Sequence, residues 1–203
     1  MSIAYSIQAE IIDVATDSPS ASDSFLVDTN VWLFFGYSKY TPHKRGVHVY
    51  PPYISSAMRT GSRLVVSGYN FSEISHVIER LEWEIYKKSA SDCKTIKEFR
   101  CNKGAERASV CKEIQNCWNL VSSVGTFESH NLNMACITNS LAYMHAHGLD
   151  AYDVFYLEVM KQVGIDCILT SDGDFCQVPG IKMFTDNRDV IAQASRQGKL
   201  IKR

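Results

Sequence analysis

Phe25-Leu26-Val27-Asp28-Thr29-Asn30 is the stretch on which the fold of this chain turns. Three apolar residues run without alternation and meet an acid directly. A short, unbroken apolar run suits a strand buried on both faces, as in a parallel sheet. From Val31 to Phe35 the chain then starts a helix. Similar short runs recur at Leu64-Val65-Val66, Cys167-Ile168-Leu169 and Ile181-Lys182-Met183-Phe184. Helices fall between them. Tyr50-Pro51-Pro52 reads as a helix opening, with proline in the first turn, and Gly61 closes it. Phe71, Ile74, Ile78, Leu81 and Ile85 recur at helical spacing over residues 71–86. Met134, Ile137, Leu141 and Met144 mark a further helix ending near Gly148, and Val154 to Val163 another, closed by Gly164. Strands alternating with helices predict an α/β protein with a parallel sheet covered on both faces.

The chain has 203 residues, which suits one domain with a sizeable core. Residues 1–23 contain the polar run Thr16 to Ser24 and read as an N-terminal extension. Residues 24–187 read as the domain, with a polar, basic helical insertion at about 87–130. Residues 188–203 read as a C-terminal helix and basic tail. No apolar run reaches membrane-spanning length. A basic start followed by an apolar core is also missing, so a cytoplasmic protein without a membrane role is expected. Seven cysteines, with no CxxC pair and no zinc-like Cys/His spacing, are expected to be reduced, some of them as small core residues. The six histidines form no metal-ligand pattern either; His145 and His147 sit near a helix end, where a cation is favourable.

The net charge of −1 excludes little, but the distribution is uneven. From Tyr37 to Arg63 there are five bases (Lys39, Lys44, Arg45, Arg59, Arg63) and no acid. Lys87 to Lys112 holds eight bases against three acids, and the tail from Arg196 adds four. Acids concentrate between Asp150 and Asp174. The separation suits an acidic site for a metal with basic flanks for phosphates, although charge runs are more often solvated faces.

The acids have positions that matter. Asp28 follows the first strand. Glu73 lies just past the second, in the first turn of its helix. Asp172 follows the third strand after two residues, and Asp153 opens the helix before that strand. In a parallel sheet all strands end on one edge, where ligands bind. Each acid has an ordinary reading: Asp28 as a helix N-cap, Asn70 with Glu73 and Asp150 with Asp153 as capping boxes, Asp172 as a turn residue. Capping explains an acid at a helix start, but not so many acids at one edge. Gathered carboxylates raise one another's pKa, and a divalent cation relieves the repulsion. An all-oxygen cluster suits Mg²⁺ or Mn²⁺, which activates water and stabilises charge on a phosphoryl oxygen.

These residues together resemble the PIN-domain family. Phe25 to Trp32 resembles its opening strand and Asp-Thr-Asn motif. Asn70-Phe71-Ser72-Glu73 resembles the segment with its Glu. Tyr152-Asp153-Val154-Phe155-Tyr156-Leu157 resembles the helix start with the third acid, and Leu169-Thr170-Ser171-Asp172-Gly173-Asp174-Phe175 the fourth element. The resemblance covers roughly residues 24–187. It implies a three-layer α/β/α sandwich with a four- or five-stranded parallel sheet. It also implies a Mg²⁺- or Mn²⁺-dependent endoribonuclease that leaves 5′-phosphate products. Many bacterial members are toxins of toxin–antitoxin pairs, so an RNA substrate, an antitoxin or other protein inhibitor and a homodimer are implied partners. The extra segment at 87–130 and the long stretch between Gly36 and Tyr50 depart from the compact toxins.

On this reading Asp28, Glu73, Asp153 and Asp172 are the catalytic and metal-holding residues. Asp174 competes with Asp172, which is preferred because it directly follows Thr170-Ser171. Thr29, Asn30 and Ser171 would fix the carboxylates, and Lys44, Arg45 and Arg59 would meet phosphates. A haloacid-dehalogenase-type phosphatase would want a second Asp where Asn30 stands, and a nucleotide-binding module a glycine-rich loop that is missing. The remaining rivals are a catalytically silent PIN-like module that binds RNA or protein, and a structure-specific DNA nuclease.

Overall fold

The computed structural model describes residues 4–90 and 92–203. Residues 1–3, at the head of the expected extension, and Ser91, within the expected insertion, lie outside the described residues. The strands are β1 (Glu10–Asp13), β2 (Ser24–Val27), β3 (Arg63–Val66), β4 (Thr126–Phe127), β5 (Cys167–Leu169), β6 (Lys182–Thr185) and β7 (Leu200–Ile201). They form one sheet in the order β4-β3-β2-β5-β6-β1-β7, and each neighbouring pair is parallel. The helices are α1 (Thr29–Gly36), α2 (Lys44–Thr60), α3 (Gly68–Ser89), α4 (Ile96–Asn102), α5 (Gly104–Val124), α6 (Met134–His147), α7 (Ala151–Val163) and α8 (Arg188–Arg196).

Strand register builds the two cores. Val65, Leu26, Ile168, Met183 and Ile11 stand side by side across five strands. They face Tyr156, Val159 and Met160 of α7 and Val190, Ile191 and Ala194 of α8. One residue on, Val27, Leu169, Phe184 and Ile12 form the next row. Because side chains alternate along a strand, this row points to the other face. There it meets Trp32 and Leu33 of α1, Tyr50 and Ile54 of α2, Ile74 and Ile78 of α3, and Cys117 and Val121 of α5. The result is a sheet between two helical layers, as the unbroken apolar strands predict.

The crossovers change face at the centre. β2 reaches β3 through α1 and α2, and β3 reaches β4 through α3 to α5, all on the side of Trp32 and Tyr50, the first face. β4 reaches β5 through α6 and α7 on the second. The chain therefore leaves β2 and β5, which are neighbours, in opposite directions. That gap between strand ends is the place where open parallel sheets bind ligands.

Several elements differ from expectation. The sheet has seven strands rather than four or five. Within residues 1–23, Ile11 and Ile12 are fully or almost fully buried and β1 pairs with β6. Arg203 joins Asp17 and Asp23 at 2.8 and 2.7 Å, which fastens the tail to that same segment. The helix opened by prolines starts earlier, at Lys44, so Pro51 and Pro52 lie inside α2. Their missing N–H groups deprive only the Val47 and His48 carbonyls, on partly and fully exposed turns. α6 forms as expected, but it packs on α7 rather than the sheet. Its buried residues are Cys136 and Ser140, while Met134 and Leu141 are 78% and 63% exposed. Among the described residues no helix is long and apolar enough to cross a membrane.

If β1 belongs to the cooperative core, Ile11→Ala removes a fully buried side chain from the middle of the second face. It should cost about 2–5 kcal/mol, read as a lower denaturant midpoint with unchanged slope. A loss below about 0.5 kcal/mol would separate β1 from the folded unit.

Candidate functional site

The ends of β2 and β5 are laced together by short polar side chains. The Asp28 backbone N–H continues the ladder to Leu169 O at 3.0 Å. Thr170 Oγ1 donates to Asp28 Oδ2 at 2.5 Å, and Asn30 Nδ2 donates to the same oxygen. Asn30 Oδ1 in turn accepts from the Ser171 N–H at 3.1 Å. The Asp172 N–H donates to Thr170 Oγ1 at 2.9 Å. Asn30 thereby ties two loops that are adjacent only in the folded sheet. Asp28 occupies the N-cap position of α1, yet its side chain does not cap the helix. The ordinary explanation for this residue therefore fails.

A second network lies below it. Tyr156 Oη donates to Glu73 Oε2 at 2.9 Å and lies 2.6 Å from Thr29 Oγ1. Asn70 Nδ2 donates to Tyr156 Oη, Thr29 Oγ1 and Val27 O at 3.1, 3.2 and 3.1 Å. α3 begins at Gly68, so its N-cap is Ser67, and Asn70 Oδ1 accepts from the Ser67 N–H at 2.9 Å. Glu73 is consequently one turn inside the helix and has no capping duty. Asp150 does cap α7, accepting from the Tyr152 and Asp153 N–H groups at 2.8 and 3.0 Å. Asp153 Oδ2 completes the box by accepting from the Asp150 N–H at 3.1 Å.

The electrostatics set this edge apart. Burial pushes Asp28 up to about 8, and Glu73 and Asp172 add to the rise. Burial likewise lifts Asp153 to about 8, with Asp150, Asp172 and Asp28 contributing. Glu73 is raised by burial and then by Asp150 and Asp172. Among the described residues, no Lys, Arg or His forms an ion pair with Asp28, Glu73, Asp150, Asp153, Asp172 or Asp174. Elsewhere several buried acids are neutralised: Asp13 by Arg188 at 2.8 Å, Asp23 by Arg203 at 2.7 Å, and Glu79 by Arg107 at 2.6 Å. A buried carboxylate without a cation is costly, and here two of them share one edge.

The expected acids thus come to one edge and feel one another. Their side chains do not converge, however: among the described residues no three His, Cys, Asp or Glu side chains are grouped closely enough to hold a metal ion. Each is turned onto its own partner, Asp28 onto Thr170 and Asn30, Glu73 onto Tyr156, and Asp153 onto the Asp150 N–H. Asp172 is exposed and its Oδ1 accepts from the Asp174 N–H at 3.0 Å, so its turn-forming role is real. Asp172 nevertheless influences Asp28, Glu73 and Asp153 alike, whereas Asp174 lies to one side, with Tyr5 packed over the intervening Gly173. The donor set is all oxygen, which fits Mg²⁺ or Mn²⁺ by chemistry.

Part of the basic flanks is structural. Arg100 and Arg107 both serve Glu79, Lys39 serves Glu82 and Glu113, and Arg63 serves Glu128. Arg59 is in the last turn of α2, leading into the start of β3, and so sits at the edge opposite the acids. It is therefore remote from the acid edge, unlike Arg45. Lys44 is exposed at the start of α2. Arg45 lines a cavity together with Ser171, next to Asp172.

Sequence reasoning missed Tyr156, Thr170, Asn70 and Tyr40. The first three stand inside the motifs that carry the resemblance, and the three-residue step from Asp153 to Tyr156 places both on one helix face. Tyr40 is pushed up to about 12 by burial, then by Asp28 and Glu73, with Arg80 opposing. Its loop gives no periodic signal. Arg80, seven residues beyond Glu73 on α3, could have been found by helical spacing. Neither a model of any known protein family nor any curated protein matches the chain.

Both Asp28 and Asp153 hold protons more tightly when folded than when unfolded. Between the ordinary carboxylate range and about pH 8 the folded state therefore binds more protons, so stability falls as pH rises through that window. Without divalent ions, the native chain should unfold at lower denaturant at pH 9 than at pH 5. Asp28→Asn, which cannot ionise, should lose less stability over the same interval. Equal pH slopes for the two proteins would refute the raised pKa of Asp28.

Proposed function

We propose that this chain is a metal-dependent endoribonuclease with a PIN-like site. The observation that carries the reading is the pair of buried carboxyl groups, Asp28 and Asp153, which have no basic side-chain partner among the described residues, at the topological switch of a parallel sheet. Such a pair is a standing demand for positive charge. Asp28, Glu73, Asp153 and Asp172 would hold Mg²⁺ or Mn²⁺, with Asp174 at the margin. When bound, the ion supplies water activation and stabilisation of charge on a phosphoryl oxygen.

The chain's own residues do the rest. Thr170 and Asn30 hold Asp28 in place, and Tyr156 orients Glu73. Burial keeps the Tyr156 hydroxyl far above its ordinary pKa, so it remains a donor at all working pH values. Such supports are worth roughly 10–100-fold in affinity or activity at metal sites. Arg80 acts on Tyr40 beside the same acids, and its charge would favour the approach of a phosphate chain. Control by a small inhibitory protein and self-association belong to the same reading.

A second reading is a silent RNA-binding module. It is favoured by the lack of convergence of the acid side chains.

Cleavage of a mixed RNA pool in Mg²⁺ or Mn²⁺ separates the two. The native chain should cut, EDTA should stop it, and Asp28→Asn should slow it by on the order of a hundredfold or more. A folded native chain that binds RNA but never cuts it would establish the silent module. Cutting by Asp28→Asn at the native rate would overturn the assignment of the site.

A further inference from the structure

Beside the acidic edge lies a second site, a cavity of about 290 Å³ lined by His43, Arg45, Ser171, Asp186, Asn187 and Arg188. Asp186 follows β6 directly, one strand from β5, and is 2% exposed. Tyr50 fixes it: Tyr50 Oη donates to Asp186 Oδ1 at 2.6 Å and accepts from the Asp186 N–H at 3.0 Å, and it also lies 2.9 Å from Thr170 O. The carboxylate is therefore held in register with the loop that carries Asp172. Asn187 strengthens the link by donating to Ser171 O at 3.3 Å.

Two atoms here are left over. Asp186 Oδ2 and Arg45 Nε are both buried, and neither has a hydrogen-bond partner. They form an ion pair at 3.6 Å, too long for a good hydrogen bond, so the charges compensate each other while both hydrogen-bonding positions stay open. A buried orphan acceptor beside a buried orphan donor is costly and calls for a partner. The group that satisfies both at once is a hydroxyl, which accepts from Arg45 Nε and donates to Asp186 Oδ2. Arg188 and His43 share the cavity and suit a phosphate next to that hydroxyl. Arg188 gives only Nη1 to Asp13, which leaves further N–H donors.

We infer that this cavity seats a ribose next to the cleaved linkage, and that Arg45 and Asp186 read its 2′-hydroxyl. A protein tells RNA from DNA by that hydroxyl. The inference rests on the nuclease reading of the acidic edge, but it gives the selection of ribose to residues outside that edge.

The test measures binding of one short single-stranded sequence, made as RNA, DNA and 2′-O-methyl RNA, to the full chain in EDTA by fluorescence anisotropy. RNA should bind about tenfold more tightly than DNA, the value of one charge-assisted hydrogen bond. The 2′-O-methyl strand accepts but cannot donate, and should fall to the DNA level. Arg45→Met should bring the RNA-to-DNA ratio close to one. Arg45 is half-exposed, so this variant should fold, whereas Asp186→Asn alters a buried group and serves as the second variant. Equal affinity of the native chain for RNA and DNA, binding to neither, or a ratio that survives Arg45→Met would overturn the inference. The nuclease reading stands or falls separately, on RNA cleavage in Mn²⁺.

Discussion

Asp28 is a carboxyl group in a buried place with no basic side chain paired to it, and the upper edge of the sheet is organised around that fact. A lone buried carboxylate either takes a proton or finds positive charge. Elsewhere this chain follows the usual solution and places an arginine against each of several buried acids. At the ends of β2, β3 and β5 it does not. It supplies hydroxyls and amides instead, from Thr170, Asn30, Thr29, Asn70 and Tyr156. These groups orient carboxylates without neutralising them. The arrangement is costly for stability, and strain of this kind is concentrated where a protein meets its ligand.

The fold makes that arrangement possible. A parallel sheet brings strand ends from distant parts of the sequence to one side. The change of face between β2 and β5 puts the switch point of the sheet there. Asp28 and Asp172 flank that point, α3 brings Glu73 to it, and α7 brings Asp153. The same edge extends to β6, where Asp186 and Arg45 form the adjoining cavity. Acidic edge and cavity are joined through Thr170 and Ser171, so a change in one loop is felt by both.

Much of this was legible in the sequence, for physical reasons. Phe25-Leu26-Val27 and Cys167-Ile168-Leu169 are apolar on both sides because both faces are covered, and such runs announce themselves. Gly61, Gly148 and Gly164 close helices in the left-handed conformation that glycine adopts freely. The acids could be placed because each lies within a few residues of a strand end or a helix start. β1 was hidden because Glu10-Ile11-Ile12-Asp13 offers two apolar residues between acids, and only its neighbours make it a strand. β4 and β7 are two residues long and exist only as pairings. Pro51 and Pro52 misled because proline marks helix starts more often than interiors. The bases misled most: a charge run does not reveal which members are tied to Glu79, Glu82 or Asp23. The facing of α6 was equally hidden, since helical spacing shows a stripe but not what covers it.

The central claim is that this edge is built to receive a divalent cation. Isothermal titration of the full native chain with Mn²⁺ at pH 8, beside Asp28→Asn, tests it without reference to any substrate. The account predicts saturable binding with proton release, because the protons held by Asp28 and Asp153 must leave, and a marked loss of affinity in the variant. Absence of Mn²⁺ binding by the folded native chain, or binding of equal strength by Asp28→Asn, would contradict it.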